Sequence, residues 1–269
     1  VLAVPMTAID SLLDAIHTHA PNNGFTDVVS VKTAVYDAVK ARNMQHRYVG
    51  SHPMAGTANS GWSASMDGLF KRAVWVVTFD QLFDGTDINS TWISIWKDVV
   101  QMALAVGAEV VPSRVGPHDA AAARVSHLTH ILAETLAIVG DNGGALSLSL
   151  AAGSYRDSTR VAGTDPGLVR AMCESNAGPL VKALDEALAI LHEAREGLTA
   201  EQPNIEQLAD NGYRSRIRYE ARSGQRRAKE SVSPTITSSR PVLRLHPGTP
   251  NWEKQLIHAE TLGARIEVF

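Results

Sequence analysis

Three stretches hold the residue types from which catalysis could be built. Ser51-His52-Pro53-Met54-Ala55-Gly56-Thr57 places an imidazole between a strand end and a Pro/Gly-containing loop. Open α/β sheets bind ligands in that position, beyond the carboxyl ends of their strands. Imidazole can accept a proton at neutral pH, and Gly56 would let the backbone approach a ligand closely. Pro117-His118-Asp119, followed by Ser126-His127-Leu128-Thr129-His130, puts His127 and His130 one helical turn apart with His118 near the same side. No acidic ligand stands at a supporting spacing and no thiolate is nearby, so these histidines are not read as a metal site. Gly153-Ser154-Tyr155-Arg156-Asp157-Ser158-Thr159-Arg160 sets two arginines around an aspartate. That pattern suits bidentate capture of a carboxylate, or equally a loop salt bridge with a helix cap.

Positioning such groups requires elements, and the pattern supplies two kinds. Val1-Leu2-Ala3-Val4-Pro5 reads as a buried parallel strand running into a helix over about 7–19. Thr26 to Lys32, Arg47 to Gly50, Ala73 to Phe79 and Ala108 to Pro112 read as further strands, with helices over 33–41 and 91–105 between them. The alternation predicts a parallel α/β sheet covered on both faces, spanning residues 1–114. Residues 115–231 carry no convincing strand but long helical patterns over 119–139 and 165–195, which predict a bundle or a dimer-forming domain. Residues 232–269 read as a linker followed by a small extension, with strands at 241–245 and 264–269 around a helix at 252–262. That extension is expected to pack against the helical domain.

The 269 residues correspond to about two domains at roughly 150 residues each. Hydrophobic residues at 44% and charged residues at 20% exclude a disordered chain. A formal charge of −3 gives no general attraction to nucleic acid or anionic membrane, and no apolar run approaches the roughly 18 residues of a membrane span. The lone Cys173 excludes an internal disulfide and fits a reducing cytoplasmic compartment. The basic run from Arg214 to Lys229 lacks interleaved aromatics and reads as a solvated helix face, not a nucleic-acid site.

Taken with Ser30-Val31-Lys32, the three stretches resemble prephenate dehydrogenase and its arogenate-specific relatives over residues 1–195. The resemblance implies an incomplete Rossmann-type nucleotide-binding domain followed by a helical domain that makes a homodimer. It implies oxidative decarboxylation of prephenate to 4-hydroxyphenylpyruvate in tyrosine biosynthesis, with hydride transfer to NAD or NADP. By resemblance His52 takes the ring hydroxyl proton, Ser30 orients it beside the nicotinamide, Arg160 anchors a substrate carboxylate and His127 lines the pocket. His118, Asp157 and Thr57 take supporting roles, and Ser30 and Pro5 lie at the cofactor. The glycine fingerprint G-x-G-x-x-G, which the family places after its first strand, is not found. The expectation is therefore that the chain starts inside its first domain, N-terminally truncated, and binds nicotinamide cofactor weakly. Arogenate as substrate and a non-catalytic dimerising fragment are the alternatives. A short-chain hydroxyacid dehydrogenase would not explain the His-Pro loop together with the Arg156–Arg160 segment.

Overall fold

The structure, a computed structural model, describes residues 1–56, 61–84, 90–223 and 240–269. Its main sheet has four strands in the order β1 (Phe25–Asp27), β2 (Tyr48–Pro53), β3 (Val74–Thr78) and β4 (Glu109–Ser113). β1 with β2 and β3 with β4 are parallel, whereas β2 and β3 run antiparallel. The expected all-parallel sheet is thus corrected to a mixed one, and the connections explain why. A parallel return needs a crossover, usually helical. α2 (Thr33–Lys40) supplies one between β1 and β2, and α3 (Ser90–Ala105) another between β3 and β4. Between β2 and β3 the described residues form no α-helix, only a 3-10 turn at Trp62–Ala64 and tight turns over 67–72, and the chain doubles back with Met54 N–H donating to Val74 O at 2.8 Å.

The expected first strand is shorter than its composition suggested. Leu2 alone bridges β1, donating to Thr26 O at 2.7 Å and accepting from Val28 N–H at 3.0 Å. α1 (Ile9–His19) buries Ile9 and Leu13, and together with Val35, Tyr36 and Val39 of α2 these close one core. On α3, Trp92 and Trp96 are buried in a second core, their indole N–H groups donating to Tyr48 O at 2.9 Å and Thr78 O at 3.1 Å. Burying an indole requires such a partner for its one donor.

Arg114 separates β4 from the helical part: α4 (Val115–Ala122), a π turn at Ala123–His127, α5 (Leu128–Asn142), α6 (Gly144–Leu150), α7 (Gly153–Thr159), α8 (Pro166–Ser175), α9 (Ala177–Thr199) and α10 (Glu206–Ser223). The helix expected over 119–139 is therefore interrupted by the π turn, and the one over 165–195 by Asn176. α8 starts where its sequence says it should, with Pro166 in the first turn and the Asp165 carboxylate accepting Leu168 N–H at 3.1 Å.

The C-terminal residues overturn an expectation. β5 (Val242–Leu245) and β6 (Arg265–Val268) pair in parallel around α11 (Trp252–Leu262). Leu245, Trp252, Leu256, Ala259, Ala264 and Ile266 enter the core formed by α3 and β4, not the helical part. Trp252 lies 5.5 Å from Trp96 and 6.5 Å from Trp92, ring to ring. The sheet domain has an apolar flank beyond β4 to cover, whereas the helical part buries only a small cluster around Ala123, Cys173, Leu180 and Ala183. The linker expected at 232–240 lies, apart from Arg240, outside the described residues. Among the described residues no helix is long and apolar enough to cross a membrane.

Candidate active site

β2 carries its pairing through Pro53, so His52 is fixed on a strand rather than carried by a loop. The strand reaches that point through Gly50, where a methyl group would come within 2.8 Å of Thr78 Oγ1 and 2.9 Å of the Tyr48 hydroxyl. The Tyr48 hydroxyl donates to Asp27 Oδ1 at 2.6 Å, and Lys32 Nζ bonds Asp27 Oδ2 and, at 2.7 Å, Ser51 O. Lys32 and Asp27 are fully buried, and this paired charge holds the backbone just before His52.

Across the junction, α4 presents His118 and Asp119. His52 Nδ1 lies 2.9 Å from His118 Nε2, and His118 Nδ1 lies 2.8 Å from Asp119 Oδ1. Asp119 is held in turn by the amides opening α2: Lys32 N–H donates to Oδ1 and Thr33 N–H to Oδ2, both at 2.8 Å. Burial would raise the Asp119 carboxyl, but the hydrogen bonds from His118, Thr33 and Lys32 outweigh it and hold the group below the ordinary range. An ionised Asp119 only accepts, so His118 carries its proton on Nδ1. Where His118 Nε2 is the acceptor of this contact, His52 donates through Nδ1–H and its lone pair lies on Nε2. Burial first, then the neighbouring His118, Lys32 and His127, holds His52 well below the usual imidazole range, so the ring is neutral near pH 7.

His52 lines a cleft of about 440 Å³, together with Ser30, Met54, His127, His130 and Arg160. A neighbouring cleft of about 370 Å³, walled by Val4, Pro5, Met6, Val28 and Val31, shares Ser30 and Met172 with it. The π turn aims His127 inward while burying it. Its Nδ1 lies 3.0 Å from Asn176 Nδ2, which also donates to Asp119 O at 2.8 Å, so Asn176 leaves the His127 proton on Nε2. Burial brings the His127 pKa down to about 4. The structure thus brings Ser30, His52, His127 and Arg160 to one cleft, and Pro5 with Ser30 to its neighbour. His118 does not line the cleft; it is buried behind His52 and acts on that ring. Asp157 is exposed on α7 near Arg156, 3.6 Å away, and is not among the residues lining either cleft. Thr57 lies outside the described residues. Asp119, Asn176 and His130 were not among the expected site residues. Asp119 and His130 stood in the stretches the sequence marked, beside His118 and one turn after His127, whereas Asn176 carried no signal; the His130 Nδ1 is buried without a partner among the described residues.

Residues 1–109 match the nucleotide-binding domain of prephenate dehydrogenase, and residues 115–211 match its dimerization domain. The chain belongs to the prephenate dehydrogenase family. A crystal structure from Corynebacterium glutamicum that carries a provisional prephenate dehydrogenase assignment is 93% identical, with a TM-score of 0.92 over 100% of this chain and 79% of that one. The curated prephenate dehydrogenase of Bacillus subtilis is 30% identical over 174 residues, 63% of this chain and 45% of that protein, so this member of the family spans about half the length of that relative. Prephenate dehydrogenase from Aquifex aeolicus, solved in complex with hydroxyphenyl propionate and NAD+, shares the fold at 23% identity and a TM-score of 0.63, over 86% of this chain and 75% of that one.

Proposed function

We propose that the His52 cleft oxidises prephenate to 4-hydroxyphenylpyruvate, with loss of CO2 and hydride transfer to NAD or NADP. The observation that carries this reading is the Asp119–His118–His52 contact chain, which engages His52 through Nδ1 and holds its ring at a cleft also lined by His127, His130 and Arg160. The adjoining cleft suits a flat heteroaromatic ring: its walls are largely Val, Pro and Met, and Ser30 supplies a polar group at the shared edge. Pro5 and Ser30 would hold the nicotinamide there, and the bound cofactor supplies the hydride acceptor.

His52 Nε2 takes the proton of the ring hydroxyl as hydride leaves the same carbon. The electron pair of the breaking C–CO2 bond then enters the ring, and His52 returns its proton to the oxygen of the new phenol. His118 and Asp119 keep the other imidazole nitrogen protonated, so the base presents one tautomer throughout. Aromatisation drives decarboxylation, so the chain need only hold and orient a dianion. Arg160 does so with a planar fork, and His127 donates through Nε2–H. The exposed leucines of the helical part, with its match to a dimerization domain, support a homodimer. Arogenate differs from prephenate only on the side chain and stands as the alternative substrate.

The test is steady-state kinetics of His52→Asn. The expected result is a fall in kcat of roughly 10²–10⁴-fold with KM changed by no more than a few-fold. Wild-type kcat in that variant would overturn the reading. Calorimetric titration with NAD and with NADP establishes which dinucleotide the chain takes.

A further inference from the structure

α11 reaches beyond the core it closes. Glu260, near its C-terminal end, is almost buried and directs its carboxylate at the junction between β4 and α4. Oε1 accepts Arg114 N–H at 2.6 Å and the Ser113 hydroxyl at 3.2 Å, while Oε2 accepts Arg114 Nε–H at 2.9 Å and Nη2–H at 2.6 Å. The next amide is gripped from the other side, Val115 N–H donating to the two Asp80 oxygens at 2.9 and 3.2 Å. Two carboxylates from separate parts of the chain therefore fix consecutive peptide units at the point where the sheet gives way to the helices. Arg114 is extended there, and its carbonyl accepts His118 N–H at 3.0 Å, the bond that opens α4. One helical turn separates the gripped peptide from the two residues that complete the relay.

The relay has little slack. The 2.9 Å contact between His52 and His118 joins β2 to α4, and a shift of about 0.5 Å or more in α4 would take it outside hydrogen-bond range. A bidentate carboxylate that also takes the backbone amide fixes direction as well as distance, which a single surface ion pair does not.

We propose that Glu260 is a positioning residue for the histidine pair, acting through Arg114 and the first turn of α4. The proposal rests on the relay reading above and gives the C-terminal segment a part in the site.

The experiment is long-range ¹H–¹⁵N correlation of the full chain labelled at histidine, run beside steady-state kinetics. In the wild type, His52 and His118 are expected to show the Nδ1–H tautomer. In Glu260→Ala, His52 is expected to move to the Nε2–H tautomer that free imidazole favours, and kcat to fall about tenfold or more. Leu256→Ala, in the core on the same helix, is the control. It is expected to lower Tm and leave both tautomers as in the wild type. Should Glu260→Ala not fold, Glu260→Gln carries the same test, because it keeps one acceptor and loses the charge. Wild-type tautomers in the folded Glu260 variant, whatever its Tm, overturn the proposal. An Nε2–H tautomer for His52 in the wild type itself defeats the relay reading first, and the proposal with it.

Discussion

Arg160 is exposed at the edge of a cleft whose other lining side chains are imidazoles, hydroxyls, thioethers and small apolar groups, so on the proposed reading a substrate carboxylate has one guanidinium to meet there. Lysine in its place keeps the charge and loses the two parallel donors. Arg160→Lys is expected to raise KM by roughly ten- to a hundredfold, the range of one charge-assisted hydrogen bond at about 1.5–3 kcal/mol, and to leave kcat within a few-fold. Kinetics at saturating and limiting substrate would separate the two. His127 gives a prediction in pH. Its folded pKa of about 4 lies below the ordinary imidazole value of 6.5, so the unfolded chain binds a proton that the folded chain refuses. Stability from this group is complete above pH 6.5 and is lost as pH falls toward 4, by about 3 kcal/mol at most. Denaturant midpoints for His127→Gln are expected to fall less steeply across that window than those of the wild type. That Ser30, His52, His127 and Arg160 would meet at one cleft was legible because their types and order repeat a family pattern. The Asp119–His118–His52 chain was not, since it forms only when β2 and α4, 66 residues apart, meet across the junction.

Asn176 is the break between two helices, and it works as a joint. Its amide bonds the backbone of α4 and the ring of His127 at once, so it ties the start of α9 both to Asp119 of the relay and to His127. Asn176→Ala leaves Asp119 O and His127 Nδ1 without their partner and is expected to destabilise the fold by about 1–3 kcal/mol, as read by urea denaturation. His127 would then be free to change tautomer, so KM should rise more than kcat falls. A change in neither would show that the joint carries no function. Helical periodicity located α3, α11 and the start of α8 closely because their apolar spacing is regular and those ends are marked by Pro, Asp or Gly, but it ran α8 and α9 together across Asn176. It missed the π turn because Ala123 to His127 reads as unbroken helix in composition. The extra residue in that turn is enforced by tertiary contacts of His127, which local pattern does not encode. The antiparallel step between β2 and β3 was missed for a related reason. Strand composition is silent on direction, and direction follows from whether a helix bridges the gap.

At the scale of the molecule, the helical part and the sheet part differ in how they bury apolar surface. On α6 and α9, Leu146, Leu150, Leu188, Leu191 and Leu198 are all more than half exposed in the single chain, a face that a second copy would cover. Leu191→Glu is expected to shift sedimentation toward monomer. The sheet part is closed instead from within the chain, by residues 240–269, which composition had marked as an add-on to the helical part. Trp252 is 4% exposed and packs edge-on to Trp96, so its removal opens a cavity beside the indoles of Trp92 and Trp96 that cannot collapse without moving α3. Trp252→Ala is expected to cost about 3–5 kcal/mol, seen as a lower denaturant midpoint. Because α11 also carries Glu260, the loss should reach the site: native-state hydrogen exchange is expected to rise at Arg114 and Val115, whose amides the carboxylates hold, before it rises in α9. Uniform acceleration across both parts would mean that the C-terminal segment stabilises the molecule only as a whole, with no particular hold on the junction.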